Sequence, residues 1–338
     1  MKQKIELGQF FTKENIWLKP QVINFISDVK NSHCLNTIFD PFVGDGDLLN
    51  AVNEKVFFDN KIGFDIDKNL IQKLHWKYNN SLINIPHFDN TILVTNPPYI
   101  AKQSATRKGL NLQQYFQNSI YDDVYLIALD NCLKAQDFIV AIIPESFINS
   151  NYLQKHRLHS ITILEENPFV DTENPVCVAC FDDKIKNLDS IKIYKNDIYI
   201  DNLHNIFNLK LSPSNNIEIN FNNLNGWLGL RAIDSSNDEN FISFDFKENI
   251  IYDWEKNIKE TSRHFSLINI KIPFTDRKNF IIECNNILNN LRKKSADIVL
   301  TPFKGNTKKG VRRRRLDFKL ARAIMENAYN KIYNTNLI

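Results

Sequence analysis

Apolar residues in the first half of the chain fall into short runs. Between the runs they recur every three or four positions. The runs at 36–39, 61–64, 91–95, 138–143, 160–164 and 176–181 have the length and residue types of buried strands. The stretches 48–54, 69–78 and 122–133 carry helical spacing instead. Asp47 is the expected N-cap of the 48–54 helix. Strands that alternate with helices imply βαβ units, a mostly parallel sheet and an α/β fold.

After about residue 184 the rhythm changes. Asn and Ser accumulate, the alternation stops, and 213–225 reads as loop. A boundary near 184–190 would divide the chain into 1–184 and a smaller domain, 185–338. Helical spacing returns at 316–333, where Leu320, Ile324, Met325, Ala328 and Ile332 fall on one face.

Composition narrows the class. The chain has 338 residues, enough for two domains of about 150 residues and a core that needs no staple. Hydrophobic residues at 43% and charged residues at 24% exclude a disordered or collagen-like chain. The five cysteines are odd in number and scattered, and the first residues lack the apolar core of a signal peptide. Both features point to a cytoplasmic location. No apolar run has the length to cross a bilayer, so no membrane partner is expected. Net charge is +3, but the last 38 residues hold ten Lys or Arg against two acids. The remainder is therefore net negative, and a basic end on such a body suits a polyanion.

Two motifs carry candidate chemistry. The first is Asp40-Pro-Phe42-Val-Gly44-Asp-Gly46, placed between a predicted strand and a predicted helix. Glycines there let backbone approach a ligand beyond the strand ends. Asp65 ends the next strand, where an acid accepts hydrogen bonds from ribose hydroxyls. Leu49 stands where a dinucleotide fingerprint needs its third glycine, which disfavours a nicotinamide cofactor. The second motif, Asn96-Pro97-Pro98-Tyr99, directly follows the strand at 91–95. Two prolines stop the ladder and stiffen the backbone. An amide, a fixed carbonyl and an aromatic ring then leave the strand end together.

Other features read as structure. Cys177 and Cys180 lie in a strand-like run and point to opposite faces, so packing is expected and no metal is. His156 and His159 read as surface residues of a helix. Asp182-Asp183-Lys184 lacks the partner acid of a nuclease. The basic run Lys308, Lys309, Arg312, Arg313, Arg314 and Arg315 precedes the last helix. Cations at a helix N-terminus oppose the macrodipole, and a phosphate placed there would relieve them, so contact with a DNA backbone is expected.

At these residues the chain resembles the N6-adenine DNA methyltransferases of the gamma-type motif order, in which the cofactor motifs precede the catalytic one. The resemblance begins at Gly8-Gln9-Phe10-Phe11-Thr12 and runs through the 40–46 loop, Asp65-Ile66 and Asn96–Tyr99. It extends to Phe169, twelve residues before Phe181, and covers about residues 5–183. Asn80-Ser81 stands where the family often has Asp-Phe, so a stacking ring would be lost.

The resemblance implies a Rossmann-like methyltransferase sheet followed by a smaller C-terminal DNA-recognition domain. It implies S-adenosyl-L-methionine as cofactor, held by Phe10, Phe11, Thr12, Asp40, Phe42, Gly44, Gly46, Asp65, Ile66, Asn80, Asn96 and Pro98. Asn96, Pro97 and Tyr99 would act on a flipped-out adenine in double-stranded DNA, with Tyr99 and Phe169 stacking on the base. Such enzymes belong to restriction–modification systems, and any restriction endonuclease would be a separate chain. Two other classes share these residues. One methylates RNA bases or protein glutamine; the other keeps the fold as a non-catalytic DNA-binding scaffold.

Overall fold

The computed structural model describes residues 15–169, 173–237 and 239–333 of a chain that divides into two compact units, Met1–Leu203 and His204–Ile338. The first unit is built on one sheet. Its strands are β1 (Thr37–Asp40), β2 (Asn60–Asp65), β3 (Lys77–Tyr78), β4 (Thr91–Thr95), β5 (Phe138–Pro144), β6 (Leu158–Ile163), β7 (Val176–Phe181), β8 (Lys192–Lys195) and β9 (Ile198–Asn202). Their spatial order is β3-β2-β1-β4-β5-β7-β6-β8-β9. The strands from β3 to β5 are parallel, and β7 is inserted antiparallel between β5 and β6. The chain leaves β1 toward β2 on one side and returns at β4 on the other. Strand order therefore reverses between β1 and β4, which opens a crevice beyond their carboxyl ends. This is the α/β sheet that the alternation of runs predicts, in the Rossmann-like form that the resemblance implies.

β4 and β7 are buried at every position, as strands covered on both faces must be. Helix α1 (Pro20–Ser32) opens on a proline, which fits a first turn that lacks N–H partners anyway. It buries Val22, Phe25, Ile26 and Val29, the spacing of one helical face. Helix α2 (Asp47–Lys55) buries Leu48, Leu49, Ala51 and Val52. Gly46, with φ of 85°, occupies its N-cap, and Asp47 is the first helical residue rather than the cap. Helix α4 (Val124–Ala135) follows the shorter α3 (Lys68–Leu74). Among the described residues no helix is long and apolar enough to cross a membrane.

The sheet departs from the sequence expectation in three places. The helix at 69–78 stops at Leu74, because His75 turns left-handed and 77–78 joins β2 as β3. The first unit runs to Leu203 rather than 184, because β8 pairs with β6 and carries β9 with it. His159 lies on β6 and His156 in the 3-10 segment Leu153–Arg157, so neither stands on an α-helix.

The second unit has a four-stranded antiparallel sheet in the order β10-β13-β11-β12. Its strands are β10 (Ile219–Asn220), β11 (Leu228–Arg231), β12 (Ser243–Phe246) and β13 (Phe265–Ile270). β10 forms inside the stretch expected as loop. Helix α5 (Arg277–Lys294) packs on β12 and on α6 (Phe318–Tyr333). A hairpin, β14 (Thr301–Asn306) and β15 (Arg312–Arg315), completes the unit.

Asp234 is the hub of this unit. It is 2% exposed, and both its oxygens accept from the Arg292 guanidinium, at 2.8 and 3.0 Å. The backbone N–H groups of Ile242 and Arg314 also donate to it, each at 3.0 Å. The basic run is thereby corrected. It forms a strand rather than a helix N-terminus, and strand residues alternate between faces. Arg312 and Arg314 turn inward and are buried, whereas Arg313 and Arg315 are half-buried and Lys308 and Lys309 are exposed at the hairpin tip. Arg312 and Arg314 are therefore not surface contacts for a DNA backbone.

Arg292→Ala removes the cation from a buried carboxylate and should cost about 3–5 kcal/mol of stability. Urea unfolding measures it. A loss under about 1 kcal/mol would mean that the pair behaves as a solvated surface bridge.

Candidate active site

The carboxyl ends of β1 and β4 bring Asp40 and Thr95 together at the switch point. Thr95 Oγ1 donates to Asp40 Oδ1 at 2.7 Å, and the Phe42 N–H donates to the same oxygen at 2.9 Å. Asp40 is 1% exposed. Burial pushes its pKa up to about 7, against the pull of the Phe42 and Thr95 donors and with a further push from Asp65. With Oδ1 taking two donors, Oδ2 is left to carry the proton.

Asp65 sits at the end of β2 and is also buried. Burial raises its pKa, and the N–H groups of Asp67 and Gly44 oppose the rise. Its Oδ2 accepts from Gly44 N at 3.0 Å, and Oδ1 from Asp67 N at 2.8 Å. The glycine loop is thus tied to β2 by the acid read from sequence as a ribose acceptor. Ile66, 41% exposed, stands beside it.

The two loop glycines serve different ends. Gly44 has φ of 51°, and a Cβ there would meet nothing within 4 Å, so its backbone faces open space. A Cβ on Gly46 would lie 2.8 Å from the Trp76 indole, and one on Gly63 would lie 2.5 Å from it. Trp76 thus roofs the loop from behind, a role the sequence reading missed. Asn80 Nδ2 donates to the Tyr115 hydroxyl at 2.9 Å. Tyr115 therefore stands beside Asn80, a neighbour that no spacing announces.

Asn96 leaves the end of β4 half-buried, followed by buried Pro97 and half-buried Pro98. The Tyr99 hydroxyl reaches Ile142 O at 2.7 Å and Asn96 Oδ1 at 2.5 Å. It ties the Asn96 amide to β5. Burial raises the Tyr99 pKa well above its ordinary value, so the phenol remains a neutral donor. Phe169 is buried beside Tyr99, with ring centroids 6.1 Å apart and planes at 67°. The two rings meet edge to face, so a base between them requires one ring to turn.

Phe10, Phe11 and Thr12 lie outside the described residues. Among the described residues no group of three or more His, Cys, Asp or Glu could hold a metal ion. Cys177 and Cys180 are buried free thiols on β7.

No protein-family model and no curated protein sequence matches the chain. Solved structures do. A Listeria monocytogenes protein assigned to the class I S-adenosylmethionine-dependent methyltransferases is 14% identical, with a TM-score of 0.38, over 52% of this chain and 63% of that one. A type I restriction-modification methyltransferase subunit from Streptococcus thermophilus is 14% identical, with a TM-score of 0.40, over 56% of this chain and 47% of that one. The type I restriction enzyme EcoKI M protein is 14% identical, with a TM-score of 0.38, over 86% of this chain and 72% of that one. The chain spans less than two thirds of the length of the first two. At these scores the sheet order, and not the likeness, identifies the fold.

The raised pKa of Asp40 has a sign. Between about pH 4 and 7 the folded chain holds a proton that the unfolded chain has released. The stability this proton contributes is present at low pH and lost as pH rises through 7. Asp40→Asn keeps the oxygen that accepts from Phe42 and Thr95 and cannot ionise. Its stability relative to wild type should rise from pH 4 to pH 8, as read by urea unfolding of both chains. Parallel curves would show that Asp40 is ionised throughout.

Proposed function

We propose that the chain transfers the methyl group of S-adenosyl-L-methionine to the exocyclic amine of an adenine in double-stranded DNA. One observation carries the reading. Asn96-Pro97-Pro98-Tyr99 leaves β4 at the switch point, beside the glycine loop and the two acids that end β1 and β2. The residues present fit such a cofactor. Gly44 offers backbone next to open space, and Asp65 and Ile66, at the end of β2, would meet the ribose. Asp40 supplies a carboxyl that a nearby cation would ionise. Asn80, hydrogen-bonded to Tyr115, would take the adenine end. When bound, the cofactor supplies an electrophilic methyl on a sulfonium.

The protein's own share is positioning. An adenine amine is a poor nucleophile, because its lone pair is delocalised into the ring. Acceptors aimed at its N–H groups favour a localised lone pair. Asn96 Oδ1 and the Pro97 carbonyl are those acceptors. The Tyr99 hydroxyl, within hydrogen-bond reach of both Oδ1 and Ile142 O, holds the amide at the strand end. Positioning and electrostatics then lower the barrier without a strong base. A base in a duplex is stacked and paired, so it must be flipped out to reach Asn96. DNA is favoured as substrate by the second unit, whose hairpin carries exposed Lys308 and Lys309 and half-buried Arg313 and Arg315. A cognate endonuclease of a restriction–modification system would be a separate chain.

Incubation with radiolabelled cofactor and DNA, RNA or protein tests the substrate directly. Label in RNA or protein and none in DNA would overturn the reading. Within it, Asn96→Ala should lower turnover by about 10²-fold while cofactor affinity changes little. Tyr99→Phe keeps the ring and loses the tie to the amide. It should lower kcat by about tenfold, the worth of one such hydrogen bond, with duplex affinity unchanged. Single-turnover rates and titration calorimetry separate the two effects. Wild-type turnover in Asn96→Ala would remove Asn96 from the mechanism.

A further inference from the structure

We propose that the unit His204–Ile338 grips the phosphate backbone of a DNA duplex through three arginines held over aromatic rings: Arg231, Arg263 and Arg313. The inference rests on the DNA reading above and names the surface that performs it. The guanidinium of Arg231 lies 4.9 Å from the Phe265 ring centre, that of Arg263 5.3 Å from Phe318, and that of Arg313 5.0 Å from Phe303. The three pairs gather around the entry to β13. Arg231 is the register partner of Phe265, and Arg263 is two residues before it. His264, between them, sets its ring edge-on to Phe303 at 5.7 Å.

Each ring is itself braced. Phe265 stacks on Tyr252 at 4.2 Å, and Phe318 stacks on Phe221 at 4.4 Å. A guanidinium on a braced ring has lost much of its rotamer freedom before any ligand arrives. Arg313 Nε donates to the Asp234 carbonyl at 2.9 Å and one terminal nitrogen of Arg263 to the Ser262 carbonyl at 3.1 Å, which fixes each guanidinium further and leaves its remaining N–H groups to match a phosphate. Arg263 is exposed, and Arg231 and Arg313 are half-buried.

Charge distinguishes these arginines from others in the same unit. Arg292 and Arg322 face carboxylates, Asp234 and Glu326. Among the described residues no carboxylate lies within ion-pair distance of Arg231, Arg263 or Arg313. A ring attracts the cation and leaves its charge unneutralised. Three preset, uncompensated cations, with Lys308 and Lys309 exposed on the hairpin that carries Arg313, complement a regular polyanion.

The test is the salt dependence of binding by the full chain, read as fluorescence anisotropy of a labelled duplex titrated across potassium chloride. The variant is Arg231→Gln, Arg263→Gln and Arg313→Gln together. A charge-matched control replaces the exposed Lys278, Lys293 and Lys294 of α5 with Gln. Each phosphate contact contributes about 0.9 to the slope of log affinity against log salt, so the variant's slope should flatten by up to about 2.7. The control should flatten less, and specific and random duplexes should lose affinity alike. S-adenosylmethionine affinity and the circular dichroism spectrum report that the variant folds. If the triple variant does not fold, Arg263→Gln alone should flatten the slope by about 0.9.

A slope equal to the control's would overturn the patch. So would a wild-type chain that binds an RNA hairpin steeply and DNA not at all. The outcomes separate this proposal from the reading beneath it. DNA methylation with an unchanged slope sinks the patch alone. A flattened slope in a chain that methylates no DNA sinks the methylation alone.

Discussion

Thr95 and Asp40 end adjacent strands that the chain leaves in opposite directions, and the hydrogen bond between them joins the sheet where its order reverses. The other ties of the site build on this one. The oxygen that takes the Thr95 hydroxyl also takes the Phe42 N–H, which fixes the start of the glycine loop. Asp65 holds the middle of that loop through Gly44, and Trp76 fills the space behind Gly46. On the other side β4 runs on into Asn96, whose amide Tyr99 fastens to β5 through Ile142. Four neighbouring strands thus each contribute one tie to a single crevice. A carboxylate buried this deeply is costly unless it is hydrogen-bonded or neutral. Asp40 is hydrogen-bonded, and below about pH 7 it is also neutral.

What the sequence makes legible is what burial on both faces imposes. β4 and β7 fall on the apolar runs 91–95 and 176–181, because a covered parallel strand has no room for polar positions. The edge strands give no such signal. Ile198 and Tyr199 of β9 lie exposed among polar neighbours, so the run past 184 reads as the end of a domain although the sheet continues. The switch-point motifs are legible because Asp40, Gly44, Gly46 and Asn96 each stand within a few residues of a strand end. Trp76, Thr95 and Tyr115 act across the chain, on Gly46, Asp40 and Asn80. No local spacing encodes contacts of that kind.

Arg312–Arg315 shows where composition misleads. Four identical residues carry no pattern, so the sequence cannot say whether they lie on one helical turn or alternate across a strand. The period of two sends Arg312 and Arg314 inward and leaves Arg313 and Arg315 half-buried. The choice is made elsewhere, by Asp234, which takes the Arg314 N–H on one side and the Arg292 guanidinium on the other. A carboxylate far from the run in sequence therefore sets which of its charges can meet a ligand.

The same logic joins the two acids of the first unit. Asp40 and Asp65 lie close enough for each ionised form to oppose the other, and both are buried. Asp65 spends its oxygens on backbone N–H groups, which favour its charged form. Asp40 has one oxygen so engaged and titrates near neutrality. A cation at the switch point would draw off that proton and meet a full negative charge. Without one, the proton removes the repulsion between the two acids. The difference between the two environments, rather than the number of carboxyl groups, sets which of the pair answers such a cation.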